Sequence, residues 1–201
     1  MKKFILVATL TLSAFATVAL ERGDEFRKNI LSAVRVRAPD GLGSGFAIGK
    51  RTVLTAGHVV NGHTEVEVTF FDEEGKPIKQ VMGKVKRVEE TGNFDNDLGV
   101  IELPEDAPSF RKPDIAAGKM GDEGYTVGGP TGEMPHVVAV GTFAGTSERI
   151  PAGILSAISA PGASGSAVFD SKHRLVGVLV SGIPNVCIYY ITDERIREIL
   201  K

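Results

Sequence analysis

The sequence at residues 52–60 is TVLTAGHVV, a short β-branched run followed by a turn that presents His58. The run is typical of a strand, and residues 43–48, GSGFAI, predict another strand joined to it by a tight turn. A histidine placed directly after a rigid strand can act as a general base near neutral pH. A structural histidine that caps a turn fits this segment equally well.

Short apolar runs continue the strand pattern on both sides of this segment. At residues 65–71 apolar side chains alternate with polar ones, as in a half-buried strand. Residues 104–121, which contain proline and glycine, separate two groups of such runs, and short helices are predicted at residues 21–32 and after Thr192, a candidate N-cap. An all-β sandwich or a pair of barrels fits the predicted strands: 34–37, 45–48, 53–55, 65–71, 78–88 and 98–103, then 124–127, 137–143, 153–159, 166–169, 175–180 and 186–191.

Length, charge and cysteine content exclude several functional classes. The 201 residues are enough for one domain and too few for two ordinary ones. The net charge is -2, and the basic residues form no stripe that could contact the phosphate backbone of a nucleic acid, so no nucleic-acid partner is expected. Cys187 is the single cysteine, which rules out an intramolecular disulfide. His58 and His63 are five residues apart rather than four, so neither a metal nor another cofactor is expected.

The first twenty residues have the composition of an export signal. Lys2 and Lys3 precede an uncharged segment at residues 4–20, and the small-x-small pattern at residues 14–16 suits cleavage. We therefore expect a signal peptide at residues 1–19, export to the periplasm or the exterior, and a mature domain at residues 20–201. The alternative is an uncleaved membrane anchor at residues 4–20, although 17 residues are slightly fewer than the ~20 that a membrane-spanning helix needs. Mass spectrometry of the mature N-terminus distinguishes the two.

Two further segments contain groups that could work with a histidine base. Asp97 begins the apolar run at residues 97–103, where it could orient an imidazole; Asp95 is the rival acid, and either could be an ordinary turn residue. Ser164 lies in PGASGSAVF, residues 161–169, between Gly162 and Gly165. Glycines let a backbone direct its N–H groups toward a developing oxyanion, but alone this segment is equally a plain turn.

Taken together, these segments resemble the chymotrypsin-fold serine peptidases, most closely the small bacterial trypsin-like domains of the HtrA type. The resemblance runs from about residue 34 to residue 191, in the order His, Asp, Ser. It implies an all-β, chymotrypsin-like double β-barrel with short N-terminal and C-terminal helices, and barrels at roughly 33–104 and 122–192. We expect one protease domain without a peptide-binding PDZ module. The matching motifs are GSGF at 43–46, TAGHVV at 55–60, DLGV at 97–100 and GASGS at 162–166.

The resemblance also implies a serine endopeptidase that cleaves peptide bonds in proteins through an acyl-enzyme. Its catalytic residues would be His58, Asp97 and Ser164, and the backbone N–H groups of Gly162 and Ser164 would form the oxyanion hole. The α/β-hydrolase alternative requires the order Ser, acid, His. After Ser164 the only histidine is His173, which is too near for that topology.

The same resemblance locates the substrate-binding residues. Substrate would bind as an extended strand beside Ser181, Gly182 and Ile183. Ile158 would form the base of the specificity pocket, which argues against Lys or Arg at the P1 position and favours a medium apolar side chain. Ala163 stands where the trypsin branch has an Asp that pairs with a freed N-terminus, so activation by that ion pair is not expected.

A second functional class is a catalytically silent scaffold that binds an extended peptide or a partner protein in the same groove. All three triad members are present, which favours the enzyme. The expected partners are protein or peptide substrates, with membrane association only if residues 4–20 stay attached.

Overall fold

The computed structural model describes residues 22–90, 96–132, 136–146 and 152–201. Within these residues the chain forms two closed barrels of six antiparallel strands. The first barrel contains β1 (Ala33–Ala38), β2 (Gly41–Gly49), β3 (Thr52–Thr55), β4 (Glu65–Phe71), β5 (Pro77–Glu90) and β6 (Asp97–Glu102). The second contains β7 (Glu123–Gly128), β8 (Val137–Thr146), β9 (Gly153–Ser156), β10 (Ala167–Asp170), β11 (Leu175–Ile183) and β12 (Cys187–Thr192).

Neighbouring strands follow the same connectivity in each barrel. The order is β1-β2-β3-β6-β5-β4 in the first and β10-β11-β12-β9-β8-β7 in the second. The predicted all-β double barrel is confirmed, and the strands of the two barrels lie within the predicted ranges 33–104 and 122–192. The predicted strand at 153–159 is shorter than expected, because the N–H of Ala157 turns back to donate to Leu155 O at 2.8 Å.

Short helices precede, interrupt and follow the strands. They are α1 (Asp24–Leu31), α2 (Gly57–Val60) and α3 (Asp193–Ile199), with a 3-10 turn at Pro130–Gly132. Thr192 occupies the N-cap position of α3 as predicted, but its side chain makes no capping hydrogen bond. Asp193 and Glu194 lie in the first turn of α3, where the helix dipole stabilises negative charge.

One continuous apolar core joins the two barrels. Phe46 of β2 contacts Phe169 of β10 with ring centroids 5.3 Å apart, and Tyr125 of β7 stacks on Phe169 at 5.2 Å. All three side chains are buried. Burial of a large aromatic side chain contributes about 1.5–3 kcal/mol, so these contacts hold the barrels in one relative position. The cleft between the barrels is therefore a preformed site.

The segment between β6 and β7 is bonded to both barrels. The N–H of Arg111 donates to Ala47 O of the first barrel at 3.0 Å. The N–H of Ala116 donates to Leu175 O of the second barrel at 2.9 Å, and the N–H of Leu175 donates to Asp114 O at 2.8 Å. The predicted connector at residues 104–121 is thus a backbone link between the barrels.

Helix α1 is attached to the second barrel by a buried polar network. Asn29 Nδ2 donates to the Tyr125 hydroxyl at 2.8 Å, and this hydroxyl lies 2.8 Å from His173 Nδ1. Arg111 donates to Asn29 Oδ1 and, at 2.7 Å, to Glu25 Oε2. Hydrogen bonding to Arg111 lowers the pKa of the Glu25 carboxyl, whereas burial raises the pKa of Tyr125. The hydroxyl of Tyr125 therefore stays protonated and bridges the helix to the barrel.

Two features of the sequence cannot be placed in this fold. The predicted signal peptide at residues 1–19, the alternative anchor at residues 4–20 and the rival acid Asp95 all lie outside the described residues. In the described ranges no helix has the length and apolar character to cross a membrane. Nor does that part of the chain bring three His, Cys, Asp or Glu side chains together as a metal site would need.

Candidate active site

His58 is the second residue of α2, the single turn that follows β3 into the cleft. Its imidazole is 42% exposed, so one side of the ring is available to a bound molecule. Gly57 permits this position, because a Cβ on Gly57 would lie only 2.9 Å from Asp97 Oδ1 and 2.8 Å from Glu89 O. The glycine lets α2 pack directly against the start of β6.

Asp97 is the first residue of β6 and holds His58 through both carboxylate oxygens. Oδ1 accepts the backbone N–H of His58 at 2.7 Å, and Oδ2 lies 2.7 Å from His58 Nδ1. A carboxylate can only accept, so Nδ1 carries the ring proton and Nε2 of a neutral ring carries the lone pair. Asp97 itself is 7% exposed, so its carboxylate is shielded from bulk water, and its two bonds to His58 are partly buried.

A second histidine–carboxylate pair, His63 and Asp40, differs from His58 and Asp97 in the burial of its carboxylate. His63 Nε2 also lies 2.7 Å from a carboxylate oxygen, but the side chain of Asp40 is 77% exposed. Exposed pairs contribute little because water and salt screen them. Only the buried carboxylate of Asp97 also fixes the backbone of its histidine.

Ser164 lies in the loop between β9 and β10, on the second-barrel side of the cleft. Its carbonyl accepts the N–H of Ser44 in β2 at 2.7 Å. A Cβ on Gly43 would lie 2.9 Å from Ser164 O and 2.6 Å from Val59 Cγ2. Val59 is the neighbour of His58, so the histidine turn and the serine loop meet at Gly43.

The loop around Ser164 depends on glycines in the left-handed region. Gly162 has φ +91° and Gly165 has φ +92°. A Cβ on Gly165 would lie 1.9 Å from Ser44 O, and one on Gly162 would lie 2.9 Å from the nitrogen of Thr131. No other residue type fits either place without moving the first barrel or the 3-10 turn.

A cavity of about 400 Å³ opens beside Ser164. Ser181 and Gly182, both predicted to bind substrate, line it, and Ile183 is 47% exposed one residue further along β11. The described residues that line it are all uncharged: Ser159, Ala160, Pro161, Ser164, Leu179, Val180, Ser181, Gly182 and Pro184.

The structure places Ile158, the predicted base of the specificity pocket, outside this cavity. Ile158 is 63% exposed and lines a neighbouring cavity of about 300 Å³ instead of the cavity beside Ser164. The backbone turn at Ala157, directly after β9, moves Ile158 outward. The walls beside Ser164 come from Ser159 to Pro161 instead.

The sequence did not predict that Ser44 bonds to the loop that contains Ser164. This serine is fully buried in β2, and its hydroxyl bonds to Gly162 O at 2.8 Å and accepts the N–H of Gly129 at 2.9 Å. The available signal was a serine between two glycines in an otherwise apolar strand.

The comparisons with known proteins agree with this geometry. The model of the trypsin-like peptidase domain matches residues 43–178, about two thirds of the chain. A comparison with curated proteins found no match. Three solved structures share the fold at identities too low to show more than fold. Deg5 matches with a TM-score of 0.68 and 20% identity, covering 87% of this chain and 89% of its own. The serine endoprotease from Yersinia pestis matches with a TM-score of 0.72 and 22% identity, covering 88% of this chain and 64% of its own. The Rv3671c protease in an inactive form matches with a TM-score of 0.70 and 19% identity, covering 88% of this chain and 90% of its own.

The matched range contains the histidine turn, the start of β6 and the serine loop. The resemblance of the sequence to this family is thereby confirmed, and its implication of protein or peptide substrates holds at the level of the family. The chain belongs to the trypsin-like peptidases.

Proposed function

We propose that the protein is a serine endopeptidase in which Ser164 is the nucleophile, His58 the general base and acid, and Asp97 the residue that orients His58. The observation that carries this proposal is the 2.7 Å contact between His58 Nδ1 and Oδ2 of the buried Asp97 carboxylate. It fixes the tautomer in which Nε2 can take a proton, in the cleft that also contains Ser164.

The reaction follows in two halves. Ser164 Oγ attacks the peptide carbonyl carbon while its proton passes to His58 Nε2, and the imidazolium is stabilised by Asp97. His58 then donates that proton to the leaving amine, which leaves an acyl group on Ser164. Water enters, His58 takes one of its protons, and hydrolysis of the ester restores the serine hydroxyl.

The backbone N–H groups of Gly162 and Ser164 are the candidates for stabilising the oxyanion. Their neighbours in the loop are used internally: the N–H of Ala163 donates to Ala160 O, and that of Gly165 donates to Leu179 O. In the described part of the chain, no backbone acceptor binds the N–H of Gly162 or of Ser164. Two uncommitted donors beside a nucleophile suit a developing negative charge.

Substrate is proposed to bind as an added strand along the end of β11. Residues Ser181, Gly182 and Ile183 pair with β12 on one side, whereas the β10 partners of β11 end at Val178. Among the described residues no strand pairs with the other edge of this end, which leaves it open to an extended peptide. Because the described residues that line the adjoining cavity are uncharged, we expect a preference for an uncharged, medium-sized P1 side chain such as Leu.

The test is labelling with an active-site phosphonate together with cleavage of denatured casein. We expect the wild type to be labelled on Ser164 and to cleave casein, and Ser164→Ala to lose both activities. Ser171→Ala, a change in the turn after β10, is the matched control and should retain both. A folded wild-type protein that takes no label and cleaves nothing would favour the peptide-binding scaffold over the enzyme.

A further inference from the structure

The loop that contains Ser164 is held in part from outside its own barrel, by one residue of the first barrel. Ser44 lies in β2 opposite Arg35 of β1, and it is fully buried. Its hydroxyl donates to Gly162 O at 2.8 Å, and its backbone N–H donates to Ser164 O at 2.7 Å. One residue thus binds two of the carbonyls that flank the proposed nucleophile.

Ser44 is itself fixed on its other sides. Its hydroxyl oxygen accepts the N–H of Gly129 at 2.9 Å, so its own proton is directed to Gly162 O. Its carbonyl accepts the hydroxyl of Thr55 at 2.6 Å. The bonds to Gly129 and Thr55 are buried, where a hydrogen bond is electrostatically stronger than in water and an unpaired group is costly, and the bond to Gly162 O is partly buried.

Together with the bonds to Ser44, two further hydrogen bonds fix the orientation of the peptide groups around Gly162 and Ser164. Pro161 O accepts the N–H of Thr131 at 2.7 Å, and Ala163 O accepts the N–H of Ser166 at 3.0 Å. In a planar trans peptide the C=O and the next N–H point in opposite directions. Anchoring Pro161 O therefore directs the N–H of Gly162 away from Thr131, and anchoring Ala163 O likewise directs the N–H of Ser164.

The peptide between those two N–H groups is the one that Ser44 controls. Its carbonyl belongs to Gly162 and bonds to the Ser44 hydroxyl, while its N–H belongs to Ala163 and donates to Ala160 O at 3.1 Å. Gly162 has no side chain to resist rotation, and the methyl group of Ala163 offers no hydrogen bond. Without the hydroxyl of Ser44, this peptide is held at its N–H end alone.

We propose that Ser44 is a positioning residue of the protease: its buried hydroxyl fixes the Gly162–Ala163 peptide so that the N–H groups of Gly162 and Ser164 converge on one oxyanion. This inference rests on the proposed serine-peptidase function. Ser44 does not touch the substrate, so it acts on the transition state through the loop and leaves ground-state binding largely intact.

The experiment compares Ser44→Ala with Ser32→Ala. Ser32 is also fully buried, and its hydroxyl donates to Lys28 O at 2.7 Å, but this bond lies at the end of α1. The two variants lose the same chemical group from the same kind of environment, so a general loss of stability affects both. Ser44→Cys keeps a side chain of similar shape with a weaker donor, which provides a graded variant and a second route if Ser44→Ala does not fold.

Four quantities are measured for each variant. They are kcat and KM on a peptide p-nitroanilide with Leu at P1, the affinity for a peptide boronic acid of the same sequence, and the affinity for the corresponding peptide amide. The boronic acid forms a tetrahedral adduct with the serine and places an oxygen where the oxyanion develops, whereas the amide does not. We expect Ser44→Ala to lower kcat and boronate affinity by about 10- to 100-fold, somewhat less than complete removal of an oxyanion donor. KM and amide affinity should change by less than about threefold, and Ser44→Cys should fall between wild type and Ser44→Ala.

Equal effects of Ser44→Ala and Ser32→Ala on kcat would overturn the proposal, and so would a parallel loss of boronate and amide affinity. Failure of the proposed function has a different signature, because the wild type would then neither turn over the anilide nor form the boronate adduct. A wild type that does both, with a selective loss in Ser44→Ala, supports the positioning role.

Discussion

Replacing Asp97 with asparagine tests the histidine tautomer on which the proposed mechanism depends. In the native protein one carboxylate oxygen accepts the His58 N–H and the other faces His58 Nδ1, both at 2.7 Å. Asparagine has one acceptor oxygen and one NH₂ donor in the same places. The backbone N–H of His58 requires the oxygen, so the NH₂ group is turned toward Nδ1. The ring proton must then move to Nε2, which can no longer accept a proton from Ser164.

The size of the effect follows from this exchange of proton positions. A base with its lone pair on the wrong nitrogen leaves only oxyanion stabilisation and substrate binding, so we expect kcat to fall about 10⁴-fold, equivalent to about 5.4 kcal/mol. Since Asp97 is buried behind the imidazole, KM should change little. Turnover of a peptide p-nitroanilide and labelling by the phosphonate should fall together.

Asp40→Asn is the matched control for this prediction. It makes the same substitution in the other carboxylate that lies 2.7 Å from a histidine, the exposed pair with His63. Its activity should stay within about twofold of wild type, as for most surface substitutions. If Asp97→Asn kept kcat within about tenfold of wild type, the tautomer argument would be refuted, because a proton on Nε2 of the proposed general base should lower kcat far more than tenfold.

Two further predictions concern buried tyrosines. Tyr125→Phe removes the hydroxyl between Asn29 Nδ2 and His173 Nδ1 and leaves two buried polar groups unpaired, so urea unfolding should show a loss of about 2–4 kcal/mol. Tyr190→Phe, whose hydroxyl bonds to no residue in the described part of the chain, should cost under about 1 kcal/mol, and equal losses would contradict the network. Burial also raises the pKa of Tyr190 to about 12 and raises that of Tyr125. The unfolded chain therefore binds fewer protons than the folded one between pH ~10 and ~12. Stability should fall by about 2–3 kcal/mol through Tyr190 alone as pH rises through that window, and Tyr125 adds a further loss. Absorbance near ~295 nm would report the tyrosine ionisation, and complete ionisation in the folded protein by pH ~10.5 would rule this out.

The barrels were predictable because local alternation of apolar and polar residues indicates most of the strands. In β4 the side chains of Val66, Val68 and Phe70 are all buried, as their alternation with polar residues predicts. A histidine after one strand and an acid at the start of another were visible for the same reason, since β3 and β6 position them. Strand identity is a local property, so sequence alone was sufficient.

The details of the cleft depend on contacts between distant segments and were less accessible. The family resemblance predicts Ile158 at the pocket base, whereas in the structure the chain turns at Ala157 and Ile158 lines a neighbouring cavity. The path of the chain after a strand end depends on such contacts and not on the local pattern. Ser44 and Gly162 are 118 residues apart, and only the packing of one barrel on the other brings them together.

Ala163 and Ser44 together determine how the loop that contains Ser164 is restrained. A loop that presents backbone N–H groups to an oxyanion must be held against rotation, and an ionised side chain next to the nucleophile is one way to do so. Ala163 is buried and can form no such pair, so in this protein the restraint has to come through the backbone. Ser44 supplies it from the opposite barrel with a neutral hydroxyl and a backbone N–H. A restraint of this kind is present as soon as the barrels pack, which predicts that activity requires correct docking of the two barrels and no newly freed N-terminus.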